Sequence, residues 1–225
     1  MYAAVSINAA LRHREITGQG QFLDIGMLDT TTAMLSIMGA NYLSTGEVPK
    51  RLGNSHPNIV PYQSFQTADG DIVMAVGNDG QFERFCEFAE CMEMTTDPRF
   101  STNGERVKNR EIIVPLIRDI IMKKPSKFWI EGLEARSISC GPINRLDEVF
   151  ADEQVKSREM QLKMDHPATG DRPIDLIASP IRMSETPTSY RHSPPILGQH
   201  TDEVLREIGE FTDDEISGFR AEGVI

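Results

Sequence analysis

The sequence predicts a mixed α/β chain, with pieces of an α/β layer at both ends and a separate α+β region in the middle. Three observations lead there. Residues 1–50 run helix, glycine turn, strand, helix, which is the rhythm of a parallel α/β layer. An Asp-Gly pair between two β-type runs near residue 69 opens a different region, and amphipathic helices follow it. Stretches rich in Pro and Gly then separate the parts, as linkers between domains do.

Taken in order, residues 1–16 are alanine-rich, with Met1, Ala4, Val5, Ala9 and Leu11 near helical spacing. Arg12, His13 and Arg14 suit a last helical turn, and Gly18 and Gly20 stop it. Residues 21–25 (Gln-Phe-Leu-Asp-Ile) read as a short strand, and residues 28–43 as one apolar helix ended by Gly46. Residues 50–61 are a polar, ordered loop. Residues 63–67 and 72–76 form the hairpin. Residues 80–90 are helical, with Phe82, Phe85, Phe88 and Ala89 on one face, and Asp97-Pro98-Arg99-Phe100 is a turn. Residues 103–123 predict a long helix with an Ile113, Leu116, Ile117, Ile120, Ile121 stripe and a break or start near Pro115. Residues 126–135 hold the sole tryptophan, Trp129, on another helix. Residues 140–144 read as a loop and 147–151 as a helix. From Gln161 onward, proline-rich turns alternate with short β-type runs. Thr201 is the expected cap of a helix to Ile208, and Thr212 to Glu215 is a capping box for the last helix.

The 225 residues carry 34 acidic and 23 basic side chains, a net charge of −11. That balance argues against a nucleic-acid backbone or an anionic membrane as partner. No apolar run approaches the about 18–20 residues that span a bilayer, and the first residues lack the features of a secretory signal. Three cysteines without a framework fit a reducing, cytoplasmic setting. Cys86, Cys91 and the scattered histidines do not have the tight spacing of a zinc site, so no metal is expected. Neither a G-x-S-x-G elbow nor a P-loop is present. Gly18-Gln19-Gly20 precedes its strand instead of following one, so it reads as a turn and not as a dinucleotide fingerprint. His56, in Asn54-Ser55-His56-Pro57-Asn58, is either a loop histidine bonded to backbone or a ligand-facing one.

Several blocks together resemble the class III CoA-transferase (CaiB/BaiF) family. They are Thr17-Gly18-Gln19-Gly20-Gln21 running into Asp24-Ile25, then Met27-Leu28-Asp29, and Gly53-Asn54-Ser55-His56-Pro57-Asn58-Ile59-Val60-Pro61-Tyr62-Gln63. Ala75 to Phe82, Asp97 to Phe100, Arg106 to Arg110, Cys140 to Asn144 and Leu197 to Leu205 complete the series in family order. The resemblance implies the interlocked-dimer fold of that family. It divides the chain into part of a Rossmann-like large domain (1–50), a linker (51–61), a small α+β domain (62–150), an extended linker (151–192) and C-terminal helices returning to the large domain (193–225). The chain then corresponds to the family's C-terminal half. Its helix without a cap at the start fits that reading. Met1-Tyr2-Ala3-Ala4 resembles the segment that follows the nucleophilic aspartate, which is therefore expected a few residues upstream of Met1. No catalytic residue is expected in this chain.

The reaction so implied moves CoA from an acyl-CoA donor to a carboxylic acid acceptor. The aspartate attacks the thioester, giving a mixed anhydride, and the CoA thiolate returns to it, so one transfer is split into easier steps. Coenzyme A and acyl-CoA are substrates here, and no tightly bound cofactor is implied. The expected partners are these substrates and either a second copy or an N-terminal half. The substrate-binding candidates are Asn54, His56 and Asn58 on the polar loop, Tyr62 and Gln63 just after it, and Gly77, Asn78 and Gln81 in a loop-to-helix turn whose amides could face an anion. Each has a plain structural alternative: a cap, a packed ring or a turn. The runner-up is an α-methylacyl-CoA racemase-like enzyme, in which an acid is expected close to Asp79. A third reading is an inactive fragment or binding module. In the half-protein reading Met1, Val5, Leu23, Ile25, Met34, Leu35 and Met38 expose apolar surface.

Overall fold

The computed structural model describes every residue, Met1–Ile225. It is a mixed α/β structure with two small antiparallel sheets, and it divides into two compact units, Met1–Ile143 and Asn144–Ile225.

The first unit begins with α1 (Tyr2–Thr17), closed by Gly18 in the left-handed region, φ 75°, whose amide bonds Arg14 O. Residues 21–26 belong to no helix and pair with no strand. The strand expected at 21–25 is therefore absent, because a strand is stable only when its backbone groups pair. The single helix expected at 28–43 is two, α2 (Met27–Ala33) and α3 (Ser36–Thr45). Three consecutive threonines explain the break. Thr30 and Thr31 both donate to Met27 O, and Thr32 donates to Leu28 O, in competition with the helix ladder. The chain then turns at Ser36, φ 48°. No residue before Val60 is buried. Of the seven apolar residues expected to be open, Met1, Val5, Ile25, Met34 and Leu35 are exposed, and Leu23 and Met38 are partly covered.

The core starts at Val60. Strands β1 (Tyr62–Gln66) and β2 (Asp71–Ala75) form the expected hairpin, with Gln63 opposite Met74 and Phe65 opposite Ile72 facing inward. Helix α4 (Asp79–Phe88) buries Phe82, Phe85 and Cys86. The short α5 (Glu93–Thr96) follows. The long helix expected at 103–123 is α6 (Asn103–Lys108) and α7 (Arg110–Ile121). It breaks at Asn109, not at Pro115. The Asn109 side chain donates to both Glu105 O and Arg99 O, satisfying carbonyls at the end of α6. Pro115 stays inside α7 on its exposed side. Helix α8 (Ser126–Glu134) receives its first amide bond from the hairpin turn, where Asp69 Oδ1 accepts from Ser126 N at 2.7 Å. The stretch expected as a loop at 140–144 is largely a third strand, β3 (Ser139–Pro142), on the free edge of β2. Its Gly and Pro suppress the strand signal, and an edge position tolerates both.

The second unit holds α9 (Leu146–Ala151), α10 (Glu153–Ser157) and the hairpin β4 (Gln161–Met164) with β5 (Ile174–Ile177). An irregular stretch leads to α11 (Thr201–Glu207) and α12 (Asp213–Ala221). Thr201 is the first residue of α11, and His200 takes the cap position. The Thr212–Glu215 capping box is present. Only Ala178 and Ile216 are buried here. No helix of the chain is long and apolar enough to cross a membrane, and nowhere do three His, Cys, Asp or Glu side chains gather as a metal site would need.

Candidate functional site

The polar loop before β1 folds back along that strand. Asn54 bonds both the Ser64 hydroxyl (2.6 Å) and the Ser64 amide (3.2 Å). Ser55 donates to Gln63 Oε1 at 3.0 Å, and His56 N donates to Tyr62 O at 2.9 Å. The four bonds join three residue pairs, 54 with 64, 55 with 63 and 56 with 62, and so keep one antiparallel register. His56 stacks on Tyr62, ring centroids 5.1 Å apart and planes 12° from parallel. Asn58 N donates to His56 Nδ1 at 3.1 Å. Five of the eight substrate-binding candidates thus lie together, three in this loop and two at the start of β1. Gln63 is buried, His56 half-buried, and Asn54, Asn58 and Tyr62 reach solvent.

The remaining three, Gly77, Asn78 and Gln81, form a closed cap on α4. Asn78 Oδ1 accepts from Gln81 N (2.9 Å), and Gln81 Oε1 accepts from Gly77 N (2.7 Å). Gln81 Nε2 donates to Ser137 O at 2.8 Å. Two of the amides expected to face an anion are already paired, so this turn is built as a helix start and not as an anion cradle.

Three residues that are not among the sequence's site candidates hold the loop from behind. Asn103 acts like a peptide group, accepting from Val60 N (3.1 Å) and donating to Asn58 O (2.8 Å). Arg106 is wholly buried. It donates to Val60 O (2.8 Å), to Phe100 O (3.0 Å) and to Asp79 Oδ1 (2.8 Å), and its guanidinium lies 4.3 Å from the Phe82 ring centroid. Arg110 Nη2 donates to both His56 O (2.6 Å) and Pro57 O (3.0 Å). Burial draws its guanidinium below the ordinary value, and Glu111 opposes this. Its Nη1 is buried without a partner. Asp79 Oδ1 also accepts from Asn103 N at 2.8 Å, which ties the start of α4 to the same clasp. Asn103, Arg106 and Arg110 share helical spacing in the sequence, but polar residues so placed ordinarily read as a solvated face.

The family model for CoA-transferase family III matches residues 1–201. The chain belongs to CoA-transferase family III. The succinate–glutarate CoA-transferase of Agrobacterium fabrum is 39% identical to this family III chain over 208 residues, 92% of the chain and 52% of that protein. Human succinyl-CoA:glutarate CoA-transferase is 34% identical over all 225 residues, and 51% of it is covered. Succinyl-CoA:mesaconate CoA-transferase of Haloarcula hispanica is 37% identical over 206 residues, again 51% of its length. A solved CaiB/BaiF family protein from Brucella suis superposes with a TM-score of 0.72 at 34% identity, covering 92% of this chain and 53% of that one. A Mycobacterium tuberculosis structure, 22% identical with a TM-score of 0.71, covers 88% of this chain and 52% of its own, and shares the fold. The family III chain therefore spans about half the length of the curated relatives it matches.

Proposed function

We propose that this chain forms part of a CoA-transferase that moves CoA from an acyl-CoA donor to a carboxylic acid. The observation that carries the reading is family III membership over residues 1–201, joined to relatives named as succinyl-CoA:glutarate and succinyl-CoA:mesaconate transferases. Succinyl-CoA is the donor and a short dicarboxylate the acceptor. On this proposal the aspartyl nucleophile belongs to a segment of the enzyme outside these residues. In this reading the chain supplies cover and recognition. His56, Asn58 and Tyr62 present polar groups from a rigid loop, with Asn54 and Gln63 holding it and the Gly77, Asn78, Gln81 cap bracing the neighbouring helix. A mixed anhydride must be kept from water, and a rigid polar cover serves that purpose. The exposed apolar side chains of α1 to α3 are then a docking face for the remainder of the enzyme or a second copy.

The racemase alternative needs a free acid near Asp79. Here one Asp79 oxygen is engaged by Arg106 and by the Asn103 amide, which favours the transferase reading.

The test is CoA exchange from succinyl-CoA to glutarate, mesaconate or oxalate, followed by chromatography of the CoA esters. The 225-residue chain alone is expected to be inactive. The chain joined to the N-terminal half of a succinyl-CoA:glutarate transferase is expected to form glutaryl-CoA. Turnover by the chain alone refutes the placement of the nucleophile. A folded, joined protein that transfers CoA to none of the three acids refutes the transferase reading.

A further inference from the structure

The loop's hydrogen bonds do more than hold its backbone, because one of them selects the form of a ring. Asn58 N donates to His56 Nδ1, so Nδ1 is the acceptor and carries no proton. In the neutral ring the proton is then on Nε2. Nothing in the protein accepts from Nε2, and the ring plane is fixed by its stack on Tyr62. The bond depends on the path of the chain from His56 to Asn58. Arg110 fixes that path by bonding the His56 and Pro57 carbonyls, and Asn103 bonds that of Asn58.

We infer that His56 is a specificity-determining residue, held as a fixed Nε2–H donor for a carboxylate or acyl oxygen of the substrate, and that Arg110 is the positioning residue that keeps it so. The inference deepens the transferase reading and rests on it only for the identity of that oxygen. A neutral donor of fixed direction reads a planar carboxylate edge, whereas a mobile lysine would bind any anion. Arg110 acts through His56 and need not touch substrate. One nitrogen, Nη2, makes both of its bonds, so a lysine ammonium can replace it and an apolar stem cannot.

The test is nitrogen NMR on the full chain with labelled histidine, at mildly alkaline pH where imidazole is neutral. Two references are built in. His166 has the same pattern, Nδ1 accepting from Ala168 N at 3.2 Å and Nε2 meeting Pro194 O at 2.8 Å. His13 is exposed on α1, and its ring has no partner. His56→Gln assigns the signal. The expected result is a pyridine-type Nδ1 and pyrrole-type Nε2 for His56, as for His166. In Arg110→Met it should move to the averaged pattern of His13, and in Arg110→Lys it should stay. Added glutarate should shift Nε2 in the wild type and Arg110→Lys, but not in Arg110→Met. An averaged or Nδ1–H His56 in the wild type overturns the inference, whether or not Arg110→Met folds. An unchanged ring in a folded Arg110→Met overturns the role of Arg110. A fixed ring that glutarate leaves unmoved overturns the donor role. CoA transfer with an averaged His56 would refute this inference and leave the transferase reading standing. A fixed, glutarate-responsive His56 without CoA transfer would do the reverse.

Discussion

Replacing Arg106 by methionine removes three hydrogen bonds at once while keeping most of the side chain's length. Two of them end on buried backbone carbonyls, Val60 O and Phe100 O, which the new side chain leaves stranded. Each stranded group costs about 1–3 kcal/mol. Loss of the cation over the Phe82 ring, 4.3 Å away, adds about 1 kcal/mol, and a methionine sulfur near the ring returns part of that. The ion pair itself adds little. The Asp79 side chain is 56% exposed and regains water. Relief from burying a guanidinium offsets some of the loss. The expected net is a destabilisation of about 3–5 kcal/mol, a large share of the roughly 5–15 kcal/mol that holds a domain together. The assay is urea unfolding followed by fluorescence of Trp129, the only tryptophan. It is buried in the same core, with its ring nitrogen bonded to Ile121 O. The midpoint should fall with the slope unchanged. Asp79→Asn, which keeps an acceptor, should cost far less. A loss below about 1 kcal/mol for Arg106→Met would mean that the desolvation of the charge cancels its bonds, and the clasp would not be what secures the loop.

Gly132→Ala drives a Cβ into the Phe88 ring, which packs against Phe128 and Trp129. The helix gain of about 1 kcal/mol should be outweighed by about 1–3 kcal/mol of overpacking, so a raised melting temperature would refute that packing. Asp69 is held below its ordinary value of 3.8, chiefly by the Ser126 amide, and Asp97 likewise by Arg99. A depressed folded pKa means stability that is present above the unfolded value and lost as pH falls through the folded one. Trp129-monitored stability should therefore decline below about pH 4, and Asp69→Asn should weaken that dependence; an unchanged acid limb would count against the cap. Among the thiols, Cys86 is raised by its hydrogen bond to Cys91 and by burial, and Cys140 is raised by burial. Cys86 and Cys91 lie inside the core, while Cys140 is partly exposed. Mass spectrometry of slow alkylation should find Cys140 modified first, and earlier labelling of Cys86 would contradict the packing of α4.

The parts of the fold that were legible are those set by short-range chemistry. Asp69-Gly70 fixes a hairpin locally, and Thr212 with Glu215 fixes a helix start locally. The parts that were misread depend on distant partners. Residues 21–25 have strand-like side chains and no strand beside them, and β3 has poor strand residues and a free β2 edge to join. The helix breaks at Ser36 and Asn109 came from side chains competing for backbone carbonyls, which a count of apolar spacing does not register. In the candidate site, the loop itself stood out by composition. Its three holders did not, because arginine and asparagine on a helix normally read as solvent-facing.

Those holders change what the loop is. A surface loop rich in Asn, Ser and His is ordinarily mobile, and a mobile histidine is a poor reader of substrate shape. Here the carbonyls of residues 56, 57, 58 and 60 are each bonded by α6 or α7, so the loop takes its position from the core. Stability and site geometry thus share the same bonds. Arg106, at the buried end of the clasp, acts mainly on stability, and Arg110, next to His56, acts mainly on the direction of the ring. If that division is correct, Arg106→Met should shift urea midpoints while leaving His56 fixed in the molecules that remain folded. Arg110→Met should release His56 with a smaller midpoint shift, since its buried Nη1 has no bond to lose. Equal effects of both substitutions on both readouts would mean that the loop and core unfold as one unit, with no separate positioning role for Arg110.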